Sequence, residues 1–223
     1  MKNVLLTTLG LTVLAIMAVM LVSSHSQQSQ KKADIAQIHE CTLLTHDSVR
    51  LRFPSEVLAR RQGVVSVIGF IYTHCPGVCV TITETMKRSS YLLSQGKAEG
   101  QNVQFVALTF DPERDTPSAL REYGNLHHLT DEMKSGHWQF LTGDEATVDS
   151  LMQHYNIETR QTYTTINEAS ERVYFIDHTD RIALLDWRGK VLKEYEGSSV
   201  EPETIAADVQ RFSSEASRSL AGR

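Results

Sequence analysis

The sequence predicts an α/β protein, a mixed β-sheet flanked by helices and preceded by an apolar N-terminal membrane-anchor segment. Three observations carry this. Short β-branched or aromatic runs alternate with helix-period segments along the chain. The last runs follow one another closely enough to form a closing hairpin. An uncharged, mostly apolar stretch follows Lys2 at the N-terminus. At 223 residues the chain has room for one well-buried domain with a short appendage. Its composition, 41% apolar and 22% charged, is that of an ordinary globular protein. The net charge of −5, with no basic cluster interleaved with aromatics, argues against nucleic acid as a partner.

Val4 to Val22 is apolar apart from Thr7, Thr8, Gly10 and Thr12, and no charged residue occurs between Lys2 and Lys31. A helix needs roughly 20 apolar residues to cross a bilayer, so residues 1–23 are expected to be an anchor or export signal that places the rest outside the cytoplasm. Ser24-His-Ser26 offers a small-x-small cleavage site, but the spanning length favours retention. Residues 24–37, rich in Ser and Gln, read as a linker. The folded domain is expected over 38–213, with 214–223 a polar, fraying tail.

Within the domain, Val64 to Tyr72 is a continuous apolar run expected of a strand covered on both faces. Ile82, Met86 and Leu93 then mark one side of a helix ending at Gly96. Val103 to Thr109 is a second strand, and Thr116-Pro117 cap a helix to about Leu126. Trp138 to Leu141 reads as a strand. Val148, Leu151, Met152 and Tyr155 have helical spacing. Val173 to Ile176 and Ile182 to Leu185 read as strands joined by Asp177-His-Thr-Asp180. After a turn at Arg188-Gly189 come a strand over Val191 to Tyr195 and a helix carrying Ile205, Val209 and Phe212 inward.

The chemistry concentrates in Tyr72-Thr-His-Cys-Pro-Gly-Val-Cys79, where a strand gives way to a helix. Thiols at a helix N-terminus meet free N–H groups and the positive end of the dipole, which favours thiolate at both Cys75 and Cys79. A static disulfide would close a very small loop and remove little unfolded-state entropy. A structural zinc site wants four ligands, and there is no second Cys pair. Cu(I) is satisfied by two thiolates and one imidazole. Of nine histidines, His178 is the candidate third ligand, since it sits in a polar connection able to approach the strand end carrying Cys75. His74 should point away from its neighbour Cys75, and His127-His128 reads as a solvated helix end. Cys41 reads as a small buried hydrophobe.

Four ordered motifs give a resemblance: Tyr72-Thr-His-Cys-Pro-Gly-Val-Cys79, Asp111-Pro-Glu-Arg-Asp-Thr-Pro117, Leu141-Thr-Gly143 and Asp177-His178. Over roughly Val64 to Phe212 the chain resembles the Sco/SenC copper chaperones that serve cytochrome oxidase assembly. The resemblance implies a thioredoxin-like fold and a membrane anchor, with the domain on the periplasmic face of a bacterial inner membrane. It further implies a copper ion, Cu(I) or Cu(II), held by Cys75, Cys79 and His178. The partners implied are the copper-bearing subunit of the oxidase and other copper-transfer or thiol-redox proteins. Gly77 and Val80 stand where family members often carry Asp and Pro. A thiol-disulfide oxidoreductase or redox sensor using Cys75 and Cys79 is the alternative.

Overall fold

The computed structural model describes residues 38–58, 65–95, 103–166 and 171–221. The expected anchor and linker lie outside the described residues, as does Gly96. Among the described residues, no helix is long and apolar enough to cross a membrane.

The centre of the fold is three parallel strands in spatial order β5–β4–β3: β3 (Ser66–Ile71), β4 (Gln104–Thr109) and β5 (Trp138–Thr142). All but one of their residues are buried. Both faces are covered, and therefore these segments read as unbroken apolar runs rather than alternating ones. Antiparallel strands extend the sheet on either side. β1 (Cys41–Thr45) and β2 (Arg50–Phe53) join beyond β5; β8 (Ile182–Leu185) and β9 (Val191–Tyr195) join beyond β3. The seven-stranded order is β2-β1-β5-β4-β3-β8-β9. The expected mixed sheet and closing hairpin are present. Among the described residues, β6 (Thr159–Ile166) and β7 (Glu171–His178) pair only with each other, in a separate two-stranded hairpin.

Helix α1 (Val78–Gln95) buries Cys79, Ile82, Thr83, Met86 and Ser89, a single stripe at helical spacing. It lies close on β3 because Gly69 has no side chain. A Cβ there would stand 2.9 Å from Ile82 Cγ2 and nearer still to the Met86 sulfur. α2 (Pro117–Leu126) begins as its sequence demands, with Thr116 Oγ1 accepting from the Ala119 N–H and Pro117 in the first turn. A short helix, α3 (Thr130–Lys134), leads to β5. α4 (Glu145–His154) is capped by Asp144, whose carboxylate accepts the Thr147 N–H at 2.9 Å. α5 (Pro202–Ala221) extends past Ser213; Ile205 and Val209 are buried, with Phe212 at the margin of the core.

Parallel pairing in register places Ile71 beside Thr109 and Leu108 beside Leu141, so the carboxyl ends of β3, β4 and β5 open side by side. Three of the four sequence motifs occupy the loops at that edge, where open α/β sheets bind ligands. The fourth arrives on β7. The strand expected to stop at Ile176 runs on to His178, and it pairs with β6 rather than with β8.

Candidate metal centre

Cys75 lies in the turn after β3, Cys79 in the first turn of α1, and His178 at the end of β7. Their donor atoms lie within 4.8 Å of one another. Ligand bonds of about 2.0–2.3 Å reach donors up to about 4.6 Å apart, so a single ion spans the set with shifts of a few tenths of an ångström. The Cys79 sulfur is 3.4 Å from His178 Nε2, and the Cys79 N–H donates to the Cys75 sulfur at 3.4 Å. All three cysteines of the chain are free thiols.

His178 is oriented by its other nitrogen. Nδ1 lies 3.0 Å from the Thr179 carbonyl oxygen, which only accepts, so Nδ1 carries a proton and Nε2 turns toward the sulfurs. The ring packs on Phe110, with centroids 4.6 Å apart, and edge-on to Tyr72 at 6.0 Å. Cys79 is held from three directions. Its sulfur accepts the Tyr72 N–H at 3.4 Å, and its carbonyl accepts from the hydroxyls of Thr83 at 2.9 Å and Tyr123 at 3.2 Å.

The two thiols, expected to behave alike at a shared helix N-terminus, differ. The hydrogen bond from the Cys79 side chain draws Cys75 down to about 4, against burial, with help from His178 and the N–H groups of Cys79 and Gly77. For Cys79, burial pushes the pKa up, and the neighbouring Cys75 pushes it further. Cys75 is half-buried and Cys79 fully buried. The result is an accessible thiolate over a recessed thiol. Burial acts to lower the His178 pKa, but Cys75 and the Thr179 carbonyl outweigh it and the net shift is upward. Binding an ion across this set displaces the Cys79 proton and any proton on Nε2, so loading releases protons.

The Asp111–Pro117 segment contains residues that position the site, roles not legible in the sequence. Asp115 is fully buried. It accepts the Thr73 N–H at 3.0 Å, the Thr73 hydroxyl at 2.6 Å and the Thr109 hydroxyl at 2.5 Å, and so holds the turn just before Cys75. Burial raises its pKa more than these hydrogen bonds lower it. Asp111 and Arg114 reach instead to β7. The sequence signal for these roles is the acid-rich run Asp111-Pro-Glu-Arg-Asp115 directly after a buried strand.

The other candidates settle elsewhere. His74 is exposed, with Nδ1 beside the Thr73 hydroxyl. His127 is buried, not solvated: its Nδ1 meets Glu84 Oε1 at 2.8 Å and its ring packs on Tyr123. His128 is exposed. Cys41 is half-buried at the margin of the core, with its pKa raised chiefly by burial.

Fold and site together define a mixed α/β protein of thioredoxin-like type, with a Cys-Cys-His cluster able to hold a metal ion. The SCO1/SenC family profile matches residues 57–214, and the chain belongs to that family. An SCO2-like protein of Rickettsia typhi is 30% identical over 137 residues, covering 60% of this chain and 60% of that one. The matched region thus spans less than two thirds of that relative. The SCO1 protein homolog of Bacillus subtilis is 28% identical over 153 residues, covering 68% of this chain and 72% of that one. Among solved structures, Bradyrhizobium japonicum ScoI with copper bound superposes with a TM-score of 0.56 at 27% identity, over 78% of this chain and 98% of that one.

Proposed function

We propose that the protein is a copper metallochaperone that binds one copper ion through Cys75, Cys79 and His178. Its role is to deliver that ion to the binuclear copper centre in the copper-bearing subunit of a respiratory cytochrome oxidase. The observation that carries the reading is the convergence of two thiols and one imidazole, the last 99 residues from Cys79 along the chain. Two soft sulfurs and one borderline nitrogen match Cu(I), and three-coordination leaves the ion open to an incoming ligand. The copper bound in the Bradyrhizobium relative supports the same cargo. Cys75 is the accessible ligand, so an acceptor's donor atom displaces it first, and Cys79 and His178 release later. The apolar N-terminal segment supports a domain tethered to the inner membrane on its periplasmic face, near an acceptor in the same bilayer.

The split between the thiols favours a second reading, thiol-disulfide exchange. The Cys75 thiolate would attack a partner disulfide, forming a mixed disulfide and releasing one partner thiolate. Cys79, giving up its proton, would then attack the Cys75 sulfur. That step leaves a Cys75–Cys79 disulfide and a reduced partner.

Copper titration of the reduced protein, monitored through thiolate-to-copper charge transfer, separates the two when wild type is compared with His178→Ala. The chaperone reading expects a steep loss of affinity in the variant with exchange activity retained. Unchanged stoichiometry and affinity would sink it.

A further inference from the structure

Among the described residues the β6–β7 hairpin shares no backbone ladder with the main sheet, yet it carries His178, while the two thiols are fixed to β3 and α1. Beyond the short link from His178 to β8, its placement against the thiols therefore rests on contacts made by side chains. Tyr174, Ile176 and His178 lie on one face of β7 by strand alternation. The Ile176 N–H donates to the Tyr72 hydroxyl at 3.2 Å. The stronger hold is Arg114. Its Nη1 donates to the Tyr174 carbonyl at 2.9 Å, and its guanidinium lies 3.6 Å from the centroid of the Tyr174 ring. Its Nε donates to Asp111 at 2.5 Å, and the other Asp111 oxygen accepts the Tyr174 hydroxyl at 2.9 Å. Asp111 is itself anchored to β4 by its N–H, which donates to Thr109 Oγ1 at 2.9 Å. A buried carboxylate thus aims a planar fork that grips both the main chain and the ring of a residue four positions before the ligand.

We propose that Arg114, aimed by Asp111, is a positioning residue for the metal site: by latching Tyr174 to the end of β4 it holds His178 Nε2 in range of Cys75 and Cys79. This rests on the copper reading. Arg114 touches none of the three ligand side chains among the hydrogen bonds and ring contacts of the described residues, so it acts through the hairpin and through the Tyr72 ring, which lies 5.6 Å from its guanidinium and packs edge-on to His178. Lysine cannot replace it fully, because a single ammonium cannot present the same planar fork.

The test is a double-mutant cycle on the full chain in detergent, titrated with copper, with Arg114→Ala, His178→Ala and the pair. Nitrogen hyperfine coupling in the Cu(II) spectrum reports the imidazole, and thiolate charge transfer reports the sulfurs. Arg114→Ala is expected to weaken copper binding about ten-fold, as loss of an outer-shell partner does. It should diminish the nitrogen coupling while the thiolate band persists, and change affinity less than about two-fold when His178 is already alanine. Arg114→Lys should show the same pattern with a smaller loss, and it takes the place of the alanine variant in the cycle if that variant does not fold. Equal losses with and without His178 would make Arg114 a general structural residue and overturn the proposal. Wild-type affinity and nitrogen coupling in both Arg114 variants would do the same. A wild-type protein with no thiolate-to-copper band would instead remove the copper reading itself.

Discussion

Replacing Asp115 tests whether the Asp111–Pro117 segment supports the thiol turn. Asp115→Ala strands three donors: the Thr73 N–H, the Thr73 hydroxyl and the Thr109 hydroxyl. The hydroxyls can rotate toward other acceptors, whereas the main-chain N–H cannot. A buried donor left without a partner costs about 1–3 kcal/mol, so the expected loss is about 2–4 kcal/mol. That corresponds to a fall in melting temperature of about 5–15 °C for a domain of this size. Asp115→Asn keeps the shape and one acceptor oxygen and should cost less, about 1–2 kcal/mol. Acid provides a further check. Burial raises the folded-state pKa of Asp115 above its unfolded value. The protonated form is therefore favoured by folding, and its contribution is complete below the unfolded value and lost as pH rises through the folded one. The stability of wild type relative to Asp115→Asn should hold or grow as pH falls from 7 toward 4. Urea unfolding at several pH values measures both. An alanine variant within about 0.5 kcal/mol of wild type, or a wild-type advantage that vanishes in acid, would refute the reasoning.

Two further predictions concern the site and its support. Alkylation of the reduced, metal-free protein should modify Cys75 at a rate nearly constant from pH 6 to 8, because a thiol with a pKa of about 4 is already ionised there. Cys79 should stay unmodified, and a ten-fold rise per pH unit at Cys75 would contradict the assigned split. Gly69→Ala should destabilise the protein by about 1–3 kcal/mol through overpacking against Ile82 and Met86, read as a lower urea midpoint at unchanged slope.

The elements the sequence made legible are those whose periodicity matches their burial. β3, β4 and β5 are apolar throughout because both faces are covered, and α1 shows its buried stripe at helical spacing. β6 left no such trace. Thr159-Arg-Gln-Thr-Tyr163 is exposed, and it is a strand because its backbone pairs residue by residue with β7, which no side-chain pattern reports. β1 and β2 are short edge-side strands of mixed burial, too brief for alternation to stand out. The burial of His127 escaped the sequence for a related reason. A helix end usually faces water, and only the approach of α2 to α1 brings that ring to Glu84, while Tyr123 covers it from one turn back on its own helix.

What the sequence determined by itself was local: the strand-to-helix turn that carries two thiols four positions apart, and the donor types suited to a soft metal. Tertiary structure decided what lies far apart in the chain. Parallel pairing of β3 with β4 brings Asp115 to Thr73, 42 residues away, and the β6–β7 hairpin returns His178 to Cys79 across 99. It also separated the thiols in character. The helix N-terminus is common to both, but burial is not, and the charged form is penalised in proportion to the water it loses. Cys75, half-buried and drawn down chiefly by the hydrogen bond from Cys79, becomes the thiolate, and the buried Cys79 keeps its proton until an ion takes its place.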